Sequence, residues 1–367
     1  MRIGLEITKA VGPRDGIGRY CLELLKALSE VAADDELWLY GLREPITEEA
    51  LRQALGCWPK QWRFRGGHSP TEDPIDVFHT TAWVVPEGLR ARLLFTCHDL
   101  TFLTHPECHT LDNKIHCLTG VLRAQLTGAT FLAVSEATGD ELRRQLGVAG
   151  ERIRVVYSAA APLFRHLDGD QARRVVSEGF GLDGDFVLAV GTLEPRKNLR
   201  RLLAAYGKLP AEVRRRTPLV IVGGESWRQE DLTETIASHP ELATVRIARR
   251  VGDGELLALY NTATVFAYPS LAEGFGLPVA EAMACGAPVL TSNRSSLPEV
   301  AGDAARLVDP DGVDDIHRGL AELLADPELR RTLKARGLEQ AAKFSWRRTA
   351  TETFALYHQL YEQPPPR

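Results

Sequence analysis

Short apolar runs, each followed by a polar or glycine-bearing loop and then an amphipathic segment, recur along the 367-residue chain. Apolar runs of this length predict strands buried on both faces, as in a parallel sheet whose strands are joined by helices. In the first half, strands are predicted at residues 3–7, 36–40, 62–64 (an edge strand), 75–79, 93–99, 131–135 and 153–157. Helices are predicted at 20–28, within 43–60, and near 111–127.

The same alternation restarts after a polar, charged segment at 167–184, which we interpret as the crossing between two domains. Strands are predicted at 186–190, 219–224, 245–251, 265–268 and 287–290, and helices at 255–263, 313–325, 327–343 and 346–361. The sequence therefore predicts an α/β protein with two Rossmann-like domains, at residues 1–165 and 166–345. A last helix and a loose tail occupy 346–367.

The segment 265–291 predicts a strand, a loop, a short helix and a further strand. Pro278 stands where the helix would begin, and Gly274 and Gly276 let the backbone approach a ligand closely. A helix start of this kind binds anions through its free N–H groups. Glu273 and Glu281 would repel phosphate but suit hydroxyl groups on either side of one. The alternative is a solvated loop glutamate and a helix glutamate that only favours the dipole.

Residues 270–289 read Ser-Leu-Ala-Glu-Gly-Phe-Gly-Leu-Pro-Val-Ala-Glu-Ala-Met-Ala-Cys-Gly-Ala-Pro-Val. This string resembles the signature of retaining glycosyltransferases of family 4, which have the GT-B fold. The resemblance implies two Rossmann-like β/α/β domains with an inter-domain cleft, and a C-terminal helix that crosses back to the N-domain. It implies that Glu273 contacts the transferred sugar and Glu281 the ribose. The free backbone amides of the helix start, from Phe275, Gly276 and Leu277 to Val279, would help to neutralise a diphosphate.

Composition and charge limit the classes of protein to which the chain can belong. The net charge of −5 gives no electrostatic footprint for nucleic acid. No apolar run is long enough for a transmembrane helix, and the N-terminus predicts a strand instead of a signal peptide. Six scattered cysteines fit no metal-binding spacing and indicate reduced thiols. We therefore expect a cytoplasmic protein, and the helix near 111–127 adds the expectation of peripheral contact with the inner face of the plasma membrane.

The loop after the first strand carries Gly12, Gly16 and Gly18, which we expect between the strand and its helix. Their spacing is not G-x-G-x-x-G, so a nicotinamide-dependent oxidoreductase is not favoured. The loop resembles the family's N-terminal glycine loop, which implies that Gly16 and Gly18 face the donor diphosphate. The alternative is a purely structural turn.

His98 ends a predicted strand and is followed by Asp99. Together with the following Leu-Thr-Phe and the pair His105-Pro106, it resembles the family's acceptor-side segment. The resemblance implies that His98 lies near the reacting sugar. The alternative is a histidine satisfied by its neighbour Asp99.

The helix near 111–127 is predicted to place apolar residues on one face and Lys114, His116 and Arg123 on another. The polar face would meet the acceptor or anionic lipid, as the matching region does in some relatives. A solvated face explains the same charges. This segment is the basis for expecting weak peripheral membrane contact.

Arg196 and Lys197 follow the first strand of the second domain beside a glycine turn. Two fixed cations at a helix start would neutralise a departing diphosphate, and family members use the same pair in this way. A divalent metal would then not be required. A surface charge pair is the alternative. Val251 stands in the region that contacts the nucleotide base in relatives, mostly through backbone atoms.

The resemblance implies retaining transfer of a hexose from a nucleotide diphosphate sugar to a hydroxyl of a saccharide or lipid-linked saccharide. The segment at His98 favours mannose and GDP-mannose, in the synthesis of bacterial cell-surface polysaccharide or glycoconjugate. A UDP-sugar enzyme acting on a small acceptor remains an alternative. So do a phosphorylase, a nucleotide-sugar epimerase and a binding protein without turnover.

Overall fold

The computed structural model describes residues 1–12, 15–32, 35–42, 45–168, 170–224 and 229–363. The chain forms two compact units, one made of Met1–Ser158 with Phe344–Arg367 and the other of Ala159–Lys343. The sequence placed the corresponding boundaries after 165 and 345. The predicted tail beyond residue 363 lies outside the described residues, as do residues 13–14 of the glycine loop and 43–44 of the predicted second helical segment.

The strands are β1 Arg2–Glu6, β2 Glu36–Tyr40, β3 Arg63–Gly66, β4 Val77–Thr80, β5 Arg92–Cys97, β6 Thr130–Ala133, β7 Ile153–Val155, β8 Val187–Val190, β9 Leu219–Val222, β10 Arg246–Ala248, β11 Val265–Tyr268, β12 Val289–Ser292 and β13 Ala305–Val308. The helices are α1 Gly16–Val31, α2 Glu48–Leu55, α3 Thr101–Thr104, α4 Leu111–Leu126, α5 Glu136–Leu146, α6 Gln171–Phe180, α7 Leu199–Gly207, α8 Ala211–Arg216, α9 Gln229–Ser238, α10 Asp253–Thr262, α11 Leu277–Ala284, α12 Leu297–Ala301, α13 Val313–Ala325, α14 Pro327–Ala341 and α15 Trp346–Glu362.

Each unit is built on one parallel sheet. The first has seven strands in the order β3-β2-β1-β4-β5-β6-β7, and the second has six in the order β10-β9-β8-β11-β12-β13. The order reverses beside β1 in the first sheet and beside β8 in the second, which is the doubly wound Rossmann arrangement. The predicted α/β class with two Rossmann-like domains is confirmed. In such sheets ligands bind outside the carboxyl ends of the strands, next to the reversal.

The last helix belongs to the first unit, as the GT-B resemblance implied. α15 packs against α1. The Trp346 ring meets the edge of Tyr20 at 5.6 Å between centroids, and the hydroxyl of Tyr357 lies 2.7 Å from Nδ1 of His79. Burial of this histidine lowers its pKa to about 3, so it remains neutral inside the unit.

The start of α1 corrects one prediction about the glycine loop. Asp15 caps the helix, because its Oδ1 accepts a hydrogen bond of 2.7 Å from the backbone N–H of Gly18. Gly16 and Gly18 therefore lie in the first turn of α1 and not in the loop before it. The aspartate in front of the apolar-periodic residues was the signal for this earlier start.

Candidate active site

Three charged residues from two predicted segments meet at the carboxyl ends of β8 and β11. The Nζ of Lys197 lies 2.7 Å from Oε1 of Glu273, and Nη1 of Arg196 lies 2.7 Å from Oε2 of the same carboxylate. Glu273 is 9% exposed, Lys197 10% and Arg196 13%. The alternative of an exposed surface charge pair at Arg196 and Lys197 does not fit this burial.

Hydroxyl groups complete the shell around Glu273. Tyr268 at the end of β11 donates to its Oε1 at 2.8 Å and accepts a hydrogen bond from Lys197 Nζ at 2.7 Å. Ser270 donates to the same oxygen at 2.6 Å. Arg196 also donates to Oε1 of Glu194 and to the carbonyl of Ala272, each at 2.7 Å.

The electrostatics of this cluster keep Glu273 ionised. Burial alone would raise the pKa of the Glu273 carboxyl, but the charges of Arg196 and Lys197 outweigh burial and lower it to about 2. Burial together with the neighbouring carboxylate raises the pKa of Tyr268 well above its usual value, so its hydroxyl stays protonated. The cluster therefore joins the two cations, Arg196 and Lys197, to the carboxylates of Glu273 and Glu194 at the strand ends.

Close backbone approach shapes the loop that carries the two cations. A Cβ added to Gly223, just after β9, would lie 2.3 Å from the carbonyl oxygen of Gly191. Asn198 adopts a left-handed conformation with φ of 59°, and its side-chain amide donates to the carbonyls of Pro269 and Pro310. These contacts fix the loop between β8 and α7 against the loop after β11.

The predicted helix start after Glu273 is present. Gly276 precedes α11 with φ of 94°, and a Cβ there would lie 2.7 Å from Cδ2 of Leu297. The backbone of Glu273 is fixed on both sides, because its N–H donates to Oγ of Ser295 and its carbonyl accepts from Oγ of Ser296, each at 2.9 Å. Phe275 and Leu277 lie in the same turn, with the Phe275 side chain buried.

The second predicted carboxylate, Glu281, is also buried. It lies within α11, is 4% exposed, and its Oε2 accepts a hydrogen bond of 3.2 Å from the hydroxyl of Tyr260. The alternative of a solvated loop glutamate does not fit Glu273, whose side chain is 9% exposed. Val251 lies in the turn between β10 and α10, after Arg250 with φ of 56°.

In the first unit His98 follows β5, and its Nε2 lies 2.7 Å from the carbonyl oxygen of Thr81. A carbonyl only accepts, so Nε2 carries the hydrogen and Nδ1 is the acceptor nitrogen of the ring. Burial lowers the pKa of His98, which keeps the ring neutral. Asp99 instead accepts from the N–H and hydroxyl of Thr101, so the alternative of a histidine satisfied by Asp99 is wrong.

The exposed side of α4 differs from the one expected. Cys117, Gly120, Val121 and Ala124 face the core. The large apolar residues are exposed by 36–86%, and they form a stripe that we call the α4 stripe: Leu111, Ile115, Leu118, Leu122 and Leu126. A Cβ on Gly120 would lie 2.1 Å from the Trp83 carbonyl oxygen, so small residues bring α4 against the core and leave the larger ones outside.

Several residues of the cluster were not identified from the sequence. Tyr268 was assigned only to a strand, Ser270 appeared only in the signature string, and Glu194 and Asn198 were given no role. A tyrosine as the last residue of a buried strand, directly before the signature loop, was the available signal. In the part of the chain that the structure describes, no three His, Cys, Asp or Glu side chains are grouped as a metal site would require.

Across the described ranges, no helix has the combination of length and apolar character needed to cross a bilayer.

Comparison with known proteins gives one consistent result. The family model described as Glycosyl transferases group 1 matches residues 171–340. The O-antigen chain mannosyltransferase B of Escherichia coli is 33% identical over 95% of this chain and 97% of its own length. The serotype-specific mannosyltransferase WbdA of Escherichia coli is 35% identical over 74% of this chain. The matched region covers 34% of that longer protein.

Solved structures share the fold over nearly the whole chain. Sucrose-phosphate synthase from Thermosynechococcus elongatus has a TM-score of 0.76 at 22% identity, covering 98% of this chain and 99% of that one. HepE of Anabaena, solved in complex with UDP-glucose, has a TM-score of 0.75 at 16% identity, with 98% and 100% coverage.

Proposed function

Because the chain belongs to the family of group 1 glycosyl transferases, we propose that it is a retaining mannosyltransferase that uses GDP-mannose. The acceptor is a hydroxyl of a saccharide or lipid-linked saccharide, in the synthesis of bacterial cell-surface polysaccharide. Relatives at 33% and 35% identity that are named mannosyltransferases support the choice of sugar. The segment from His98 to Phe102 favours the same sugar through its resemblance to the family.

The observation that carries the proposal is the buried contact of Arg196 and Lys197 with Glu273, beside the start of α11. A diphosphate bound there receives two fixed positive charges and the free N–H groups of the helix start. In the transfer step, the bond between the anomeric carbon and the phosphate oxygen breaks, and its electron pair stays on the phosphate. Arg196 and Lys197 neutralise that charge as it develops.

Retention at the anomeric carbon follows from a same-face route. The acceptor oxygen bonds to the anomeric carbon on the face that the phosphate leaves, and the acceptor proton passes to the departing phosphate oxygen. Glu273 stays ionised at neutral pH and stabilises the positive charge that develops on the sugar ring. We propose no divalent metal for this step, because the two cations supply the charge that a metal would otherwise provide.

The remaining predicted residues take supporting roles in the proposal. Glu281 binds the ribose of the donor, and backbone atoms near Val251 contact the base. The first turn of α1, with Gly16 and Gly18, faces the diphosphate. His98 contacts the sugar, for which its acceptor nitrogen Nδ1 suits a hydroxyl.

We also propose that the enzyme works at a lipid surface through the α4 stripe. Five large apolar side chains on one face of a helix form a surface that water does not favour. Lys114 and Arg123 lie on the same helix and suit anionic headgroups. Flotation with vesicles containing anionic lipid tests this: Leu118→Ser with Leu122→Ser should abolish vesicle binding, and unchanged binding of the variant would refute it.

The function is tested by incubating the protein with GDP-mannose, UDP-glucose and the ADP and TDP sugars, each with a mannose-terminated acceptor. Release of nucleoside diphosphate and the anomeric configuration of the product are read by NMR. We expect turnover with GDP-mannose, an α-linked product and activity that survives EDTA. Preference for another donor would refute the choice of GDP-mannose, and an inverted product would refute retention. Loss of activity in EDTA would refute the metal-independent step.

A small-molecule acceptor is the second candidate. D-inositol 3-phosphate glycosyltransferase of Streptomyces bingchenggensis is 29% identical over 83% of this chain and 69% of its own length. The same incubation with inositol phosphate as acceptor distinguishes the two candidates. Transfer to inositol phosphate and not to the saccharide would favour the second.

A further inference from the structure

A buried hydrogen-bond chain in the first unit leads to His98. Glu6, the last residue of β1, is fully buried, and its Oε1 accepts a hydrogen bond of 2.7 Å from the backbone N–H of Thr8. The hydroxyl of Thr81, just after β4, lies 3.2 Å from Oε2 of Glu6 and 3.0 Å from the Glu6 carbonyl oxygen. The carbonyl of Thr81 then accepts from His98.

Each link of this chain fixes the next. Glu6 ties the loops after β1 and β4 together, because it accepts from both Thr8 and Thr81. The position of Thr81 decides where its carbonyl lies, and that carbonyl decides which nitrogen of His98 carries the hydrogen. The ring of Tyr20 meets the His98 ring edge-on at 4.9 Å between centroids and limits its rotation.

A buried carboxylate is costly unless a specific set of donors satisfies it. Burial raises the pKa of Glu6. Other polar and titratable groups near this site are Cys21, whose Sγ lies 3.6 Å from the Thr81 hydroxyl, and Asp15, which acts on His98 electrostatically. A hydrophobic residue at position 6 would satisfy β1 as well as glutamate does, so packing alone does not explain the carboxylate.

We infer that Glu6 and Thr81 are positioning residues that hold His98 in the Nε2–H tautomer, with Nδ1 available to accept a hydrogen bond from a sugar hydroxyl. Only the expected effect on the transfer reaction rests on the proposed function. The tautomer itself is a property of the free protein. Neither residue touches the reacting atoms; both act through His98.

Thr81→Val removes the hydroxyl at nearly constant shape, and Thr81→Ser keeps it. Thr353→Val is the control, because Thr353 is a fully buried threonine of the same unit whose hydroxyl has no hydrogen-bond partner within the described structure. The ¹⁵N shifts of the His98 ring report the tautomer without any substrate. We expect a single Nε2–H form in the wild type, Thr81→Ser and Thr353→Val, and a mixture of tautomers in Thr81→Val.

Kinetics supply the second readout. We expect Thr81→Val to lower kcat about tenfold with the donor KM nearly unchanged, since a misplaced acceptor raises the barrier by about 1.4 kcal/mol. In a His98→Ala background, Thr81→Val should have no further effect on kcat, which a double-mutant cycle measures. If Thr81→Val does not fold, Thr81→Ala takes its place.

The possible outcomes distinguish failure of the positioning role from failure of the proposed function. A wild-type tautomer in Thr81→Val, or an equal loss of kcat in the presence and absence of His98, would overturn the positioning role. Absence of transfer from every nucleotide sugar by the wild type would instead refute the proposed function, and the tautomer measurement would still decide the positioning role of Thr81.

Discussion

Lys197 and Glu273 are joined twice, by a direct contact of 2.7 Å between Nζ and Oε1 and through the hydroxyl of Tyr268, which lies within 2.8 Å of both atoms. The two residues come from loops that are 76 positions apart in the chain. The lysine that we assign to the leaving group and the carboxylate that we assign to the sugar are therefore one electrostatic unit. A change to either residue is expected to affect the other.

Lys197→Ala should lower turnover at least a hundredfold with little effect on the fold. Removing one charged contact to a leaving group costs roughly 3–4 kcal/mol of barrier, while the ion pair between Arg196 and Glu273 remains. Steady-state kinetics with GDP-mannose and a thermal melt measure the two effects. Lys208→Ala is the control, because Lys208 is a half-exposed lysine of the same unit that pairs with Asp314. Wild-type turnover of Lys197→Ala would contradict the assignment.

Tyr268→Phe should lower kcat about tenfold. The variant keeps the direct pair of Lys197 and Glu273 but loses one hydroxyl that orients both, and a buried hydrogen bond contributes roughly 0.5–1.5 kcal/mol. Tyr206→Phe is a matched control, because its buried hydroxyl lies 3.0 Å from the Thr217 carbonyl and 2.8 Å from Oγ1 of Thr244. We expect this control to lower the melting temperature and leave kcat unchanged. An equal kcat for both variants would argue against a role for Tyr268.

The stability contributed by Glu273 should depend on pH in a defined window. Its pKa in the folded protein is about 2, below the reference value of 4.5, so the folded state favours the ionised form. The contribution is therefore complete above pH 4.5 and is lost as the pH falls towards 2. At neutral pH it is on the order of 3 kcal/mol.

Urea unfolding of the wild type and Glu273→Gln at pH 7, 5 and 3 measures this dependence. The difference in unfolding free energy between the two proteins should be similar at pH 7 and 5 and smaller at pH 3. A difference that stays constant down to pH 3 would mean that the ion pairs do not stabilise the folded carboxylate.

Gly276→Ala should destabilise the protein by about 1–3 kcal/mol. The residue has φ of 94°, and the added Cβ would lie 2.7 Å from Cδ2 of Leu297. Gly254→Ala is the control, since nothing lies within 4 Å of its added Cβ and alanine favours the helix there. Chemical unfolding should show a loss for the first variant and none for the second. Equal stability of both variants would mean that the start of α11 tolerates a side chain.

The sequence predicted most of the fold because its strands are buried on both faces and therefore appear as continuous apolar runs. β11, α11 and β12 lie within two residues of the predicted segments. The geometry of the loops was harder to predict from the sequence. Gly16 and Gly18 were expected before α1, but the Asp15 cap starts the helix earlier.

The candidate site was predicted in part. Arg196, Lys197 and Glu273 were named from motifs, yet their direct pairing depends on the parallel neighbours β8 and β11, which no local pattern encodes. Tyr268 and the chain from Glu6 to His98 required the same long-range information. α4 was misjudged for a similar reason: periodicity showed an apolar face, but only the packing of Gly120 on Trp83 shows that this face points outward.

The central claim is that Arg196 and Lys197 bind the diphosphate of the donor, and calorimetric titration tests it most directly. GDP and GMP are titrated into the wild type and Lys197→Ala in the presence of EDTA. We predict that the substitution weakens GDP binding at least tenfold and GMP binding less than twofold. Equal effects on both nucleotides, or no effect on GDP, would contradict the account.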